Sequence, residues 1–409
     1  MLDRRAFTAL LTGTVAAPRM TLAQASKSVY YAATGPELAL YEIDFADGAL
    51  QKRASYALPA NIQYAWPHPS KQFFYVVSSA GGPGVASDKN FANAFRLDRA
   101  TGALTPHGEP APLRQRPIHA SVDRTGEFLL TAYNTPSTVT VHRIKADGTI
   151  GEEVAQPEKL ETGIYAHQIL ATPANQTVIL VARGNNAATG KPEDPGSLHV
   201  FGLKSGVLSN IATVRPGDGL GFGPRHLDFH PGKPWVYVSV ERQNQLYAYA
   251  LGNDGALARD PAFIKSTLAD RANVKPAQGA GPIHVHPNGR FVYVTNRNQG
   301  EVEVDGKKVF NDGENNVAVF AIDQESGEPT QIQTIEGHGI HLRNFGIDPQ
   351  ARLLIASSIR PMPLRDGKTL TAGLMVYRLG GDGKLTFVRK YDVDTAKGQQ
   401  FWSGLVTLG

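Results

Sequence analysis

The sequence predicts an all-β chain, and three observations predict it. Glycine (42 residues) and proline (27) are abundant among 409 residues, as in proteins built of many short strands joined by turns. No stretch keeps a 3.6-residue apolar period over several helical turns. One unit of strand and turn, about fifty residues long, recurs along the chain. Seven copies of such a unit predict a seven-bladed β-propeller, because no blade can bury both faces of its sheet alone and neighbours must stack around a ring.

The clearest mark of the repeat is a turn: a polar residue, then glycine, then usually an apolar residue. It appears as ADGAL at Gly48, ATGAL at Gly102, ADGTI at Gly148, KSGVL at Gly206, NDGAL at Gly255, ESGEP at Gly327 and GDGKL at Gly383. The seven glycines are expected at the positive-φ position of a hairpin turn. In phase with them runs a turn followed by a hydrophobic strand, in six full copies. HPSKQFFYVVSS, DRTGEFLLTAYN, TPANQTVILVAR, HPGKPWVYVSVE, HPNGRFVYVTNR and DPQARLLIASSI carry it. The seventh copy is divided. Residues 28–44 supply later strands of a unit that lacks its opening, and residues 398–409 supply that opening. The last blade is therefore expected to be closed by both termini. The widest spacing between turn glycines holds an insertion, residues 300–316, expected to form an extra hairpin or a loop on one face.

Residues 1–25 have the pattern of an export signal. Arg4 and Arg5 precede an apolar stretch from Ala6 to Ala17, and Ala23-Gln24-Ala25 is a small-residue cleavage site. The paired arginines suggest the twin-arginine route. The mature chain, residues 26–409, is expected to be one propeller domain in the periplasm, as a monomer or homodimer. The net charge of +4 is spread along the chain, with no basic run, so nucleic acid is not an expected partner. Beyond the leader no segment is apolar enough to span a membrane. The absence of cysteine excludes disulfides and thiol nucleophiles. Metal-binding histidine spacing, a G-x-S-x-G elbow, a P-loop and a dinucleotide fingerprint are all missing, and no cofactor is expected.

Aligning the units exposes two slots where a buried strand would want apolar residues. Five positions before the turn residue stand Gln63, Ile118, His167, Arg225, Gly281 and Arg343. Eleven positions after it stand Ser79, Asn134, Arg183, Glu241, Arg297 and Ile359. Residues pair about a hairpin turn, so the slots are expected opposite each other, converging at one mouth of the central channel. His119, His226 and His284, which neighbour the slots, are expected at the same mouth. Four arginines around one carboxylate suit an anionic ligand or a developing oxyanion. The alternative is a structural Arg225–Glu241 ion pair among solvated charges. His68, His230 and His286 sit in turns and are expected to be structural.

GPRHLDFHP…VYVSVE, GPIHVHPNGRFVYVTNR, AHQILATPANQTVILVA and RNFGIDPQARLLIASS resemble the seven-bladed propeller lactonase family over roughly residues 28–409. That family includes the propeller-type bacterial 6-phosphogluconolactonases and fungal carboxymuconate lactonizing enzyme. The resemblance implies an active site of His167, Glu241, Arg225 and Arg297, with Arg343 matching a further motif arginine. Arg183, His226, His284 and His119 are expected to contact substrate. It implies hydrolysis of a lactone without a cofactor. An exported chain points to a free sugar lactone such as glucono-1,5-lactone rather than a phosphorylated intermediate of the cytoplasm. The other readings are a lactonizing cycloisomerase acting on an unsaturated dicarboxylate, and a non-catalytic binding propeller.

Overall fold

The structure, a computed structural model, describes residues 27–82 and 85–409. The expected export signal lies outside the described residues. Seven antiparallel sheets of four or five strands form the ring. The innermost strands of blades 1 to 6 are Asn61–Pro67, Pro117–Val122, Ala166–Ala171, Pro224–Phe229, Gln278–Val285 and Leu342–Ile347. Blade 7 takes its inner strand, Trp402–Thr407, from the C-terminus and its other three, Ser28–Thr34, Glu37–Asp44 and Ala49–Ala57, from the start of the described chain. Ala32 pairs with Ser403 across this junction. Among the described residues the only helical turns are two short 3-10 segments, Pro216–Gly219 and Glu241–Gln243.

All seven turn glycines adopt positive φ, between 76° and 88°. Backbone conformation is only half the reason for glycine. A Cβ on Gly148 would stand 2.3 Å from the Phe73 ring of the blade before it, and one on Gly383 would stand 2.4 Å from Phe291. The turn thus presses its bare backbone against the neighbouring blade. Its carbonyl is used as well: Tyr75 donates to Gly148 O at 2.9 Å, Tyr237 to Gly327 O at 2.9 Å and Tyr293 to Gly383 O at 2.8 Å. Each donor lies on the second strand of one blade and each acceptor in the turn of the next. The hydroxyls are satisfied although the tyrosines are fully buried, which removes the penalty of an unpaired polar group. Turn histidines do similar work. His68 Nε2 lies 2.9 Å from Gly126 O, and His230 Nε2 lies 2.8 Å from Gly289 O.

Apolar packing follows the same pattern. Tyr31 and Leu40 of blade 7 share one cluster with Phe74 and Val76 of blade 1. Blades 3 and 4 meet through Val181, Val200, Val238 and Tyr249. The insertion forms the expected hairpin, Glu301–Val304 with Lys307–Phe310. It leans on blade 6 through Phe310, Ile340 and Met362.

Candidate active site at the arginine mouth

The inner strands do not pair with their neighbours residue for residue. In blade 4 Pro224 pairs with Val240 and His226 with Ser239, so Arg225 is an extra residue without a partner. The same shift leaves out His167 in blade 3, Arg343 in blade 6, Gln63 in blade 1 and Ile118 in blade 2. In blade 5 it spans Gly281 and Pro282. The earlier slot is therefore a β-bulge, not one member of a cross-strand pair. A bulge interrupts alternation and re-aims the side chain. This explains how a residue at the start of a buried strand is turned toward its counterparts in other blades.

Glu241 lies at the centre. It begins the 3-10 turn that follows the second strand of blade 4, and its N–H donates to Gly223 O. Arg297 donates to Oε1 at 2.5 Å. Arg225 Nε and Arg183 approach Oε2 at 3.6 and 3.7 Å, and Oε2 accepts no hydrogen bond from a described residue. Arg225 is only 1% exposed. A buried guanidinium with no carboxylate beside it would cost several kcal/mol, so Glu241 is what lets these arginines converge. Burial by itself raises the Glu241 pKa, but Arg297, Arg183 and Arg225 outweigh it and hold it at about 2.

Three histidines stand among the arginines, each buried. Arg225 contacts His226 Nε2 at 3.2 Å, and Arg297 contacts His341 Nε2 at 2.6 Å. A guanidinium can only donate, so both Nε2 atoms are unprotonated acceptors. His167 differs. Its ring sits 5.1 Å from that of His226, and neither of its nitrogens is hydrogen-bonded to a described residue, Nδ1 being fully enclosed. Burial, followed by the charges of Arg225, Arg343 and Arg183, holds its pKa well below the usual histidine value. It is neutral at pH 7.

The remaining predicted residues are placed as follows. Arg343 makes no ion pair with Glu241. It donates from Nε to Phe401 O at 2.9 Å and lies 3.6 Å above the Phe401 ring. Burial, then Arg297 and Arg116, lower its pKa to about 9. Arg183 stacks on Tyr165 at 4.0 Å. His119 is fully buried behind the mouth, its ring 4.0 Å from that of Tyr64. His284 is not brought into the cluster. It lies further along its strand, with Nδ1 3.4 Å from Asp228 Oδ2, because the alternation past the bulge carries it toward the other end of the channel.

The slots alone miss Arg116, Tyr165 and His341. Arg116 is tied to Gln63 at 2.9 Å and also lies over the Phe401 ring, at 5.4 Å. All three residues stand seven positions before the turn residue, two before the bulge, so carrying the alignment two residues further would have exposed them. Tyr165 and His341 adopt positive φ, 63° and 56°, a costly conformation for such side chains. Blades 4 and 5 have Gly223 and Gly279 at this position. A Cβ there would meet Arg242 at 2.2 Å and Glu241 at 2.9 Å, so the missing side chains make room for the charged turn. The insertion closes one flank, since Asn315 Oδ1 accepts the N–H of His341 at 2.7 Å. Among the described residues no group of histidine and carboxylate ligands could hold a metal ion.

Taken together, the mouth is a cationic cluster with one ionised carboxylate, one free neutral imidazole and several guanidinium groups. That set can activate water and stabilise an oxyanion. Residues 25–360 match the family model of the lactonase, 7-bladed beta-propeller. The chain is 27% identical to the 6-phosphogluconolactonase of Bacillus subtilis over 78% of its own length and 83% of that protein. It is 28% identical to that of Pectobacterium carotovorum over 76% and 82%. Its fold is similar to that of the periplasmic gluconolactonase of Pseudomonas aeruginosa, with a TM-score of 0.69, 20% identity and 93% and 99% of the two chains covered. The chain belongs to the seven-bladed β-propeller lactonase family, an enzyme family that opens lactone rings.

Proposed function

We propose that the protein hydrolyses an aldonolactone, with glucono-1,5-lactone as the representative substrate, to the aldonic acid outside the cytoplasm. The observation that carries the catalytic assignment is the imidazole of His167, which makes no hydrogen bond to a described residue and stands among the arginines that Glu241 holds together. His226 and His341 are occupied by arginines, so His167 is the group left to take a proton from water. Water adds to the ring carbonyl, and the negative charge that develops on oxygen faces Arg225, Arg297 and Arg183. Collapse of the tetrahedral intermediate breaks the bond to the ring oxygen. The His167 imidazolium, acidic because of its depressed pKa, returns the proton to that oxygen. Glu241 keeps the arginines converged.

Cellular location rests on the leader pattern in residues 1–25 and is checked by fractionation and the N-terminus of the mature protein. A second reading, a phosphorylated lactone, is favoured by Arg116 and Arg343. Neither has a carboxylate within 4 Å among the described residues, and both lie against the Phe401 ring. The experiment is acid release from glucono-1,5-lactone and from its 6-phosphate, near pH 6.5, by wild-type protein and Glu241→Gln. A rate above background on the free lactone, lost in the variant, supports the first reading. Activity confined to the phosphate ester replaces it with the second.

A further inference from the structure

Past the bulges the inner strands resume alternation and carry a second set of side chains toward the opposite face of the ring. There they enclose a cavity of about 320 Å3, within the usual range of small-molecule sites. Its outer limit is set by Pro67, Pro287 and Ile347, at the far ends of the inner strands. His226 and Pro282 belong both to its lining and to the arginine mouth.

Two features mark this cavity as built to hold something. The first is Asn344, which is 6% exposed, lines the cavity and has an Oδ1 atom without a hydrogen-bond partner. Its amide nitrogen makes no hydrogen bond to a described residue either. A buried amide left unpaired is expensive, and the cavity is where a partner would stand. The second is Asp228. Its Oδ2 accepts the N–H of Val285 at 2.9 Å and lies 3.4 Å from His284 Nδ1. No lysine or arginine is within 4 Å of it among the described residues. Around these acceptors stand apolar and aromatic walls, Trp66, Trp402 and Phe345 among them.

We infer that this cavity is a binding site, separate from the arginine mouth, for a neutral, ring-shaped polyhydroxy compound. The aromatic walls take the C–H face of the ring, and Asp228 and Asn344 accept its hydroxyl groups. Anions are excluded because no arginine or lysine lines the cavity and Asp228 repels them. Organic cations are disfavoured because both carboxylate oxygens of Asp228 are already engaged by backbone N–H groups, those of Phe229 and Val285. This site is independent of the reaction at the other mouth.

The chain has three tryptophans, and two of them, Trp66 and Trp402, line the cavity, so tryptophan fluorescence reports on it directly. The full chain is titrated with myo-inositol and D-glucose, unreactive probes, and with sodium gluconate and tetramethylammonium for comparison. A saturable change is expected with inositol or glucose, equal in wild-type and Glu241→Gln protein, and absent with the two ions. Asn344→Leu is expected to weaken it at least tenfold, a loss of about 1.4 kcal/mol. Asp228→Asn, which keeps an acceptor for Val285, provides a second variant should the first fail to fold. No saturable response to either polyol overturns the proposal. So does a response to the cation alone, or one abolished by Glu241→Gln and untouched at Asp228 and Asn344.

Discussion

The rim turns and the mouth bulges are both repeated features, yet they treat their residues in opposite ways. At the rim every blade carries glycine, and the same backbone surface meets the neighbouring blade each time. At the mouth the bulge recurs in blades 1 to 6, but its side chain changes: Gln63, Ile118, His167, Arg225, Gly281 with Pro282, and Arg343. A residue that holds the ring must be alike in every blade, because every blade junction is alike. A residue that handles an asymmetric ligand must differ. The repeat supplies equivalent backbone sites, and chemistry arises where the copies diverge.

The sharpest way to break this comparison is to remove the divergent groups. His167→Ala is expected to lower kcat by about 10²–10⁴, the range for losing an acid–base group, and Glu241→Gln is expected to lower it as well by removing the charge that holds the arginines together. His167→Ala should leave the unfolding midpoint within a few degrees of wild type. Wild-type turnover in both folded variants would remove the assignment. A rim change should do the reverse. Gly148→Val forces a side chain into Phe73 and imposes positive φ on a β-branched residue. It is expected to cost about 1–3 kcal/mol, read by denaturant unfolding, with kcat unchanged in whatever protein remains folded.

Titration separates the two regions as well. His167, His226 and His341 have pKa values held well below normal by burial and nearby arginines, and burial lowers His119 to about 3. Unfolded, they titrate near 6.5. Above that pH both states leave them neutral and their environment costs nothing extra. Below it the unfolded chain gains protons that the folded chain refuses. Stability should therefore fall as pH drops from about 6.5 to 5, by up to about 1.4 kcal/mol per pH unit for each histidine. Glu241, held at about 2, adds stability present above about 4.5 and lost only in stronger acid. Chemical denaturation at a series of pH values checks this. A flat profile between pH 7 and 5 would show that these rings take up protons as readily in the folded state as in the unfolded one. The smallest effect belongs to a single rim bond: Tyr75→Phe, which leaves the Gly148 carbonyl without its donor, should cost about 1 kcal/mol and no activity.

Much of this was legible beforehand. The turn glycines fall at fixed phase in the sequence, and the structure gives all seven positive φ. The divided blade could be read from strand-like segments at the two ends, and Ser28–Thr34 pairs with Trp402–Thr407. The slots that hold Arg183, Arg225, Glu241 and Arg297 could be found by alignment, because charge in a buried strand violates the pattern of its neighbours. The bulges were not legible, since side-chain order carries no signal for which backbone N–H is left unpaired. Without them His284 was grouped with the mouth, whereas restored alternation sends it to Asp228. Arg116, Tyr165 and His341 lie two residues before the slots, just outside the stretch the alignment compared.

The sequence by itself determined the repeat, the ring closure and the types of charged residue at the strand openings, because these follow from periodicity and from turn chemistry. Only the tertiary structure decided which groups face one another. Arg343 turned to Phe401 instead of Glu241, His226 and His341 were taken by arginines, and His167 was left free. The physical reason is that residues from separate blades meet at one mouth. Their contacts depend on bulge geometry and blade stacking, which no local stretch of sequence contains.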